Sequence, residues 1–187
     1  MKKLIVLLAA LLVAAPVFAG NTGYVKLSLW DDIAVALPNN IHNITGLSLG
    51  IGSKAETVDG IQYDIIYSDA HKVRGIKTAW FYSPADIVYG IQGGLVTVNR
   101  QDMRGIQGGL VALSQNSMQG IQWGLVNWSE GSAIGAQLGF VNVADNFTGL
   151  QFGFVNYVSN IKGLQLGLLN IAKNGYLPAM IFINGRF

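Results

Sequence analysis

The chain has no cysteine among its 187 residues. A disulfide framework, a thiolate metal site and a lipid-modified cysteine are therefore excluded. Charged residues are also scarce, at 12% of the chain, and 10 acidic side chains nearly balance 12 basic ones. Because nucleic-acid binding needs a concentrated basic surface, we expect no nucleic-acid partner.

Long apolar runs are missing after the first residues. No later stretch reaches the roughly 20 consecutive apolar residues that a transmembrane helix needs. The N-terminus differs, because Met1-Lys2-Lys3 is followed by an apolar run from Leu4 to Ala15 and then by Val17-Phe18-Ala19. This order is typical of a secretory signal peptide. We expect residues 1–19 to be a signal peptide and residues 20–187 to form a single β domain built from repeats.

A glycine-led unit recurs along most of the chain, with successive copies 14 or 15 residues apart. The full pattern is that of Gly120-Ile121-Gln122-Trp123-Gly124-Leu125-Val126-Asn127. So regular a period is typical of a repeat architecture. Two glycines four residues apart would cost a helix roughly 2 kcal/mol, and apolar residues alternate with period two, so each copy predicts a β-strand. The leading glycines are Gly46, Gly60, Gly75, Gly90, Gly105, Gly120, Gly135, Gly149 and Gly163.

Alternate positions of each predicted strand form two different faces. One face carries side chains such as Ile121 and Leu125, and the other carries glycines and Gln122. Hydrophobic residues make up 51% of the chain, so a protein interior, a second chain or lipid must cover the apolar face. A strand of this kind fits a closed barrel whose outer face contacts lipid. The sequence therefore predicts an all-β fold, an antiparallel membrane β-barrel of about 10 to 12 short strands.

A barrel of this kind implies the outer membrane of a Gram-negative-type bacterium, with membrane lipid and the barrel assembly machinery as partners. The C-terminal segment supports this location, because Met180 to Phe187 is apolar and ends in an aromatic residue. It resembles the assembly signal that bacterial outer-membrane barrels carry in their final strand. Gly185 departs from that signal, which more often has a bulky residue at this position.

The tandem copies between Gly46 and Asn170 resemble the Gly-Leu-Gln-x-Gly-Leu-x-Asn copies of the largely uncharacterised bacterial surface-repeat proteins. The copies at Gly149 and Gly163 match best, whereas Ser48 and Lys77 replace the glutamine in earlier copies. The resemblance implies a location in the cell envelope and supplies no catalytic residues.

The polar face is expected to point inward. Its glutamines could line a narrow polar conduit or hydrogen-bond to one another and fill the interior, and we favour the second role. Lys77 and Asp64 are expected to pair on neighbouring strands, because an unpaired interior charge would be costly. The predicted inward-facing residues are Gln62, Asp64, Lys77, Gln92, Gln107, Gln122, Gln137, Gln151 and Gln165.

Candidate catalytic residues are few. His42 and His71 fall in or near the links between strands, without the spaced companions that a metal site needs. We therefore expect no metal, no cofactor and no catalysis, but a structural or narrow-pore role.

Two alternatives remain open. A secreted parallel β-solenoid with coils of 14–15 residues, acting as a surface or adhesion protein, is favoured by the near-constant period. An outer-membrane lipid-modifying enzyme would depend on His42 or His71.

Overall fold

The computed structural model describes residues 22–30, 33–36 and 42–187. The predicted signal peptide, residues 1–19, lies outside these ranges. In the described part of the chain, no helix is long and apolar enough to cross a membrane. The strands are β1 (Thr22–Trp30), β2 (Ile33–Ala36), β3 (Asn43–Ala79), β4 (Tyr82–Gly93), β5 (Val96–Gly108), β6 (Val111–Ser114), β7 (Ser117–Phe152), β8 (Val155–Ala172) and β9 (Ala179–Arg186).

Strands β3 to β8 wind into a parallel β-solenoid. Each coil pairs in register with the next one, so that Gly75 pairs with Gly90 and Gly90 with Gly105. The longest strand, β3, holds 37 residues and would be about 120 Å long if it were straight. It winds instead through more than two coils. The predicted all-β fold is confirmed, but the predicted antiparallel barrel is wrong, and the chain adopts the alternative solenoid.

The barrel prediction failed because it used only the alternation of residues along each strand. That alternation assigns side chains to two faces whether the neighbouring strands run parallel or antiparallel. The direction follows instead from the repeat, because in a parallel stack each residue meets the same position of the next copy. Gly149, Leu150 and Gln151 lie beside Gly163, Leu164 and Gln165 in this way.

Antiparallel strands occupy both ends of the sheet. At one end β1 extends the parallel stack on β3, and β2 pairs antiparallel with β1. At the other end β9 folds back along β8, so that Asn184 lies beside Gln165. The order of the strands in the sheet therefore follows the order of the chain, from β2 and β1 through to β9.

Three interruptions divide the coil into short sides. The first is the leading glycine, which at Gly90 has a φ of +141°. A Cβ on Gly90 would lie 2.0 Å from the carbonyl oxygen of Gly75 in the preceding coil, so only glycine fits. The other two are bends, at Gly109–Leu110 and Gln115–Asn116 in the coil that Gly105 begins.

The interior receives four side chains from a typical coil. In one coil these are Met118, Gln122, Asn127 and Ser129, each at most 2% exposed. Two of the four are amides, so the interior is partly polar. Most of the apolar side chains in the interior stand two positions before a leading glycine. They are Ile44, Val58, Val73, Val88, Met103, Met118, Ala133, Phe147 and Ile161.

Candidate functional surface

The outer surface carries a continuous row of large apolar side chains at the fifth position after each leading glycine. This position lies at the bend between two sides of the coil, as at Leu95 and Leu110. Their exposure ranges from 38% at Ile51 to 59% at Trp80. We call this row the apolar ridge: Ile51, Ile65, Trp80, Leu95, Leu110, Leu125, Phe140, Phe154 and Leu168.

Both sides that meet at the ridge are apolar as well. The first position after the glycine is held by residues such as Ile91 and Ile106, and the sixth by Val96, Val111 and Val126 in successive coils. Neighbouring strands are about 4.8 Å apart, so the ridge is about 38 Å long. A band about 18 Å wide along it, which corresponds to about five or six residues at the rise of a strand, has an area on the order of 700 Å². Monomeric proteins rarely expose a contiguous apolar patch much larger than a few hundred Å².

Aromatic residues stack along this surface in the coil register. The rings of Phe140 and Phe154 on the ridge lie parallel, with their centroids 4.8 Å apart. Trp80 on the ridge donates a hydrogen bond from its indole nitrogen to the hydroxyl of Tyr63, at 2.5 Å. The parallel stack therefore holds the exposed rings in fixed positions.

The third side of the coil is polar. It contains the positions just before each glycine, where Asp59, Arg74, Arg104 and Lys162 follow one another among uncharged residues. Arg74 donates two hydrogen bonds to the carboxylate of Asp59. The solenoid is therefore amphipathic, with one charged side and two apolar sides.

Tyrosines paired with cations mark the two borders of the apolar surface. On one border, one position before a leading glycine, the Tyr89 ring lies 5.9 Å from Lys72 Nζ and 5.5 Å from Arg104 Cζ. On the other border, eight positions after a leading glycine, Lys173 Nζ lies 5.6 Å from the Tyr157 ring. A hydrogen bond with Lys173 lowers the pKa of Tyr157 and raises that of Lys173.

The structure places the predicted inward-facing side chains inside the solenoid. Gln137 donates to Gln122 Oε1 at 2.8 Å and accepts a hydrogen bond from Gln151 at 2.6 Å. Gln165 continues the column by donating to Gln151 at 2.7 Å. These amides bond to one another along the solenoid axis. All nine predicted residues are fully buried: Gln62, Asp64, Lys77, Gln92, Gln107, Gln122, Gln137, Gln151 and Gln165.

A second amide column consists of asparagines. Asn127 donates to Asn142, Asn142 to Asn156, and Asn156 to Asn170, each at 2.8 Å. These residues were not among the predicted inward-facing set. Their signal in the sequence was the recurrence of asparagine at the seventh position after the glycine, which the barrel interpretation did not use.

Lys77 and Asp64 are both buried but bond to different neighbours. Lys77 Nζ donates to Ser83 Oγ at 2.9 Å and to the carbonyl oxygen of Ser68 at 2.5 Å. Asp64 accepts a hydrogen bond from Ser53 at 2.6 Å, and no ion pair joins Asp64 to Lys77 in the described residues. Burial lowers the pKa of Lys77 to about 7, although Asp64 opposes the shift, and burial raises the pKa of Asp64.

His42 and His71, which are distant in sequence, line one open cleft of about 380 Å³. His71 Nδ1 lies 2.7 Å from Asp86 Oδ2, and Arg100 donates to Asp86 at 2.8 Å and to Asp69 at 3.3 Å. Burial raises the pKa of Asp86, but hydrogen bonds from Arg100 and His71 outweigh it, and the net shift is downward. In the described ranges, no group of His, Asp or Glu side chains could hold a metal ion.

Comparison of the chain with family models, curated proteins and solved structures found no match. The resemblance to bacterial surface-repeat proteins therefore depends on the repeat motif alone. The predicted C-terminal assembly signal also stays a prediction, and its last residue, Phe187, is 95% exposed. Any function has to be inferred from the geometry of the solenoid.

Proposed function

We propose that the chain is a secreted, non-catalytic β-solenoid of the bacterial surface that attaches to a partner surface through its apolar ridge. The observation that carries the proposal is the unbroken ridge, which holds a large apolar residue in nine successive coils. Burial of apolar area contributes about 25 cal/mol per Å². A surface on the order of 700 Å² would therefore contribute about 17 kcal/mol before the costs of association.

The interior supports a scaffolding role. The glutamine and asparagine columns use their side-chain amides to bond one coil to the next. Buried polar networks of this kind make a structure rigid when their members are paired. A rigid rod that holds one apolar side chain per coil at a constant spacing is suited to adhesion.

The charged cleft near His71 fits a structural role as well. Arg100 bridges two carboxylates, those of Asp69 and Asp86, and His71 contacts Asp86 from the other side. Arg100 and His71 therefore connect the carboxylates of neighbouring coils. Exposed ion pairs of this type contribute at most about 1 kcal/mol each.

The proposal is tested by adsorption of the purified protein to octyl-agarose compared with plain agarose. Leu125→Glu places a charge on the ridge, where the leucine is 57% exposed. Gln119→Glu is the matched control, since Gln119 is exposed on the polar side of the neighbouring coil. We expect Leu125→Glu to weaken retention at least tenfold and Gln119→Glu to leave it within twofold, with the thermal unfolding of both variants unchanged. Equal retention of the two variants would contradict attachment through the ridge.

A further inference from the structure

The ridge and its two borders point to one kind of partner surface. We propose that the apolar ridge inserts into the surface of a phospholipid bilayer, with the solenoid axis parallel to the membrane plane. This inference rests on the proposed attachment through the ridge and adds the identity of the partner. It uses the shape of the ridge, the residues at its borders and the distribution of charge.

The shape of the ridge favours a fluid partner. Its residues lie at a bend, as Gly109–Leu110 and Gly153–Phe154 show, so the apolar surface is convex in cross-section. A second copy of this chain would present the same convex ridge, and two convex ridges touch only along a line. Lipid chains can surround a ridge and contact both of the apolar sides that meet there.

The sizes of the ridge side chains point the same way. Leu95, Leu110 and Leu125 occupy the middle coils, whereas Trp80 precedes them and Phe140 and Phe154 follow. A rigid surface would contact the longest side chains and leave gaps at the leucines. A fluid hydrocarbon layer fills such differences without strain in the protein.

The borders have the chemistry of the headgroup region. Tyrosine rings prefer the boundary between hydrocarbon and water, and lysine and arginine extend their charged ends from apolar stems into the headgroups. Tyr89 with Lys72 and Arg104 provides both kinds of group on one border, and Tyr157 with Lys173 does so on the other. Because coil rows run parallel to the axis, each of these two groups lies beside the ridge.

The charged side completes the arrangement, because it would face water when the ridge is inserted. Amphipathic helices at a membrane surface lie with their apolar face about 5 to 10 Å deep in the boundary between headgroups and acyl chains, and we expect a similar depth for the ridge. Cations near an anionic surface contribute about 1 kcal/mol each, which is about a fivefold change in affinity. We therefore expect binding to neutral vesicles and tighter binding to anionic ones.

Site-specific labelling tests the orientation directly, because the chain contains no cysteine. A polarity-sensitive fluorophore is attached to Leu125→Cys on the ridge or to Ser132→Cys, which is exposed on the polar side three positions before a leading glycine. Phosphatidylcholine vesicles should shift the emission of the ridge label to the blue and leave the control label unchanged. Equal shifts for the two labels, or no shift for either, would overturn the proposal.

Cosedimentation with vesicles tests the borders. Replacing two cations, Arg104→Gln and Lys173→Gln, should weaken binding to vesicles that contain phosphatidylglycerol by about fivefold for each cation. Binding to pure phosphatidylcholine should stay within twofold. Unchanged binding to the anionic vesicles would contradict the role given to the borders.

Two failures are distinguishable. Ridge-dependent retention on octyl-agarose without binding to either kind of vesicle would overturn the membrane proposal and leave the proposed attachment intact. A ridge label that is already shielded without lipid, in a protein that light scattering shows to be a dimer, would identify a second copy as the partner. If the unmodified protein is neither retained on octyl-agarose nor bound to vesicles, the proposed function itself is rejected.

Discussion

The two halves of the solenoid satisfy their polar interiors in different ways. From Gly120 onward, glutamines and asparagines form columns in which amides bond to their counterparts one coil away. In the first coils, Ser48 and Lys77 occupy positions of the glutamine column. In the described residues, nine buried side-chain atoms without a hydrogen-bond partner precede Gly120, and only two follow it.

The difference follows from the chemistry of the amide group. A side-chain amide has both a donor and an acceptor, so a column of identical amides can pair each member with the next. A lysine side chain has only donors. A serine side chain is too short to reach the amide one coil away. Gln92, beside Lys77, donates to two backbone carbonyls, and its Oε1 has no partner in the described part of the chain. One substitution in a column therefore affects its neighbours as well.

The largest expected loss of stability comes from replacing the leading glycine, a feature that the two halves share. Gly90→Ala in the first half and Gly149→Ala in the second would each place a Cβ 2.0 Å from a carbonyl oxygen, at a positive φ. We expect each to lower the free energy of unfolding by at least about 3 kcal/mol. Urea denaturation measures this loss.

A matched control lies three residues from Gly90. A Cβ on Gly93 would meet Thr78 at 3.4 Å, an ordinary contact, with no positive φ. Gly93→Ala should change stability by less than about 1 kcal/mol. Similar losses for Gly90→Ala and Gly93→Ala would show that the stacked glycines are not a steric requirement.

The second prediction compares the same substitution in the two halves. Gln137→Met removes an acceptor for Gln151 and the donor to Gln122, so it should destabilise the protein by about 2 to 4 kcal/mol. Gln92→Met leaves no other side chain without a hydrogen-bond partner, because Gln92 bonds only to backbone carbonyls. It should lower the free energy of unfolding by about 1 kcal/mol. Thermal or urea unfolding of the pair measures the difference. Equal losses would mean that the columns add nothing to the individual hydrogen bonds.

The third prediction concerns the charge that interrupts the column. Burial lowers the pKa of Lys77 to about 7, from 10.5 in the unfolded chain. Between these two pH values the unfolded chain binds a proton that the folded chain has released. The free energy of unfolding should therefore rise as the pH increases from 7, and this gain should disappear as the pH is lowered to 7 again. Lys77→Gln should remove this rise.

The measurement is urea unfolding at several pH values between 7 and about 9.5. This range avoids Tyr67, whose pKa burial raises to about 12 and which would begin to lower stability above about pH 10, its unfolded value. Gln122→Met is the control, because it changes the same column without a titrating group. A slope that persists in Lys77→Gln would assign the pH dependence to other residues.

The smallest expected effect is on the surface of the first half. Arg100→Met removes the contacts with Asp69 and Asp86, which are partly exposed. We expect a loss of less than about 1 kcal/mol, and a smaller one in 1 M salt, because screening weakens exposed pairs. A loss as large as that of Gln137→Met would show that the charged cleft stabilises the contact between coils as strongly as the amide columns do.

The assignment of faces could be predicted from the sequence as far as the bend, because up to that point it depends only on alternation. Past the bend the alternation changes phase, since Asn127 shares the parity of the exposed Ile121 and is fully buried. Ile121 is 39% exposed and Gln122 is fully buried, as the alternation indicated. The same alternation produces a polar interior and an apolar exterior in a membrane barrel. The alternation of residues does not determine whether neighbouring strands run parallel or antiparallel. The predicted barrel was wrong because its strands were expected to be antiparallel.

Other features required the register of the coils. The cleft at His71 forms because Asp86 lies one coil away and Arg100 a further coil away, and no local motif marks that pairing. The apolar ridge was partly hidden for a related reason. Leu110 and Leu125 were assigned to a flat strand face, because the bend at the fourth and fifth positions after the glycine has no sequence signal apart from a second glycine.

The stacked glycines also have a consequence for how such a chain changes length. Each coil contacts mainly the coil before and the coil after it, and every junction between coils repeats the same glycine contact. Duplication or loss of one 15-residue unit would therefore create a junction that the fold already contains. Each added unit would lengthen the rod by about 4.8 Å and add one residue to the apolar ridge. The length of the molecule can thus be varied in whole steps while β2 and β9 remain the two end strands of the sheet.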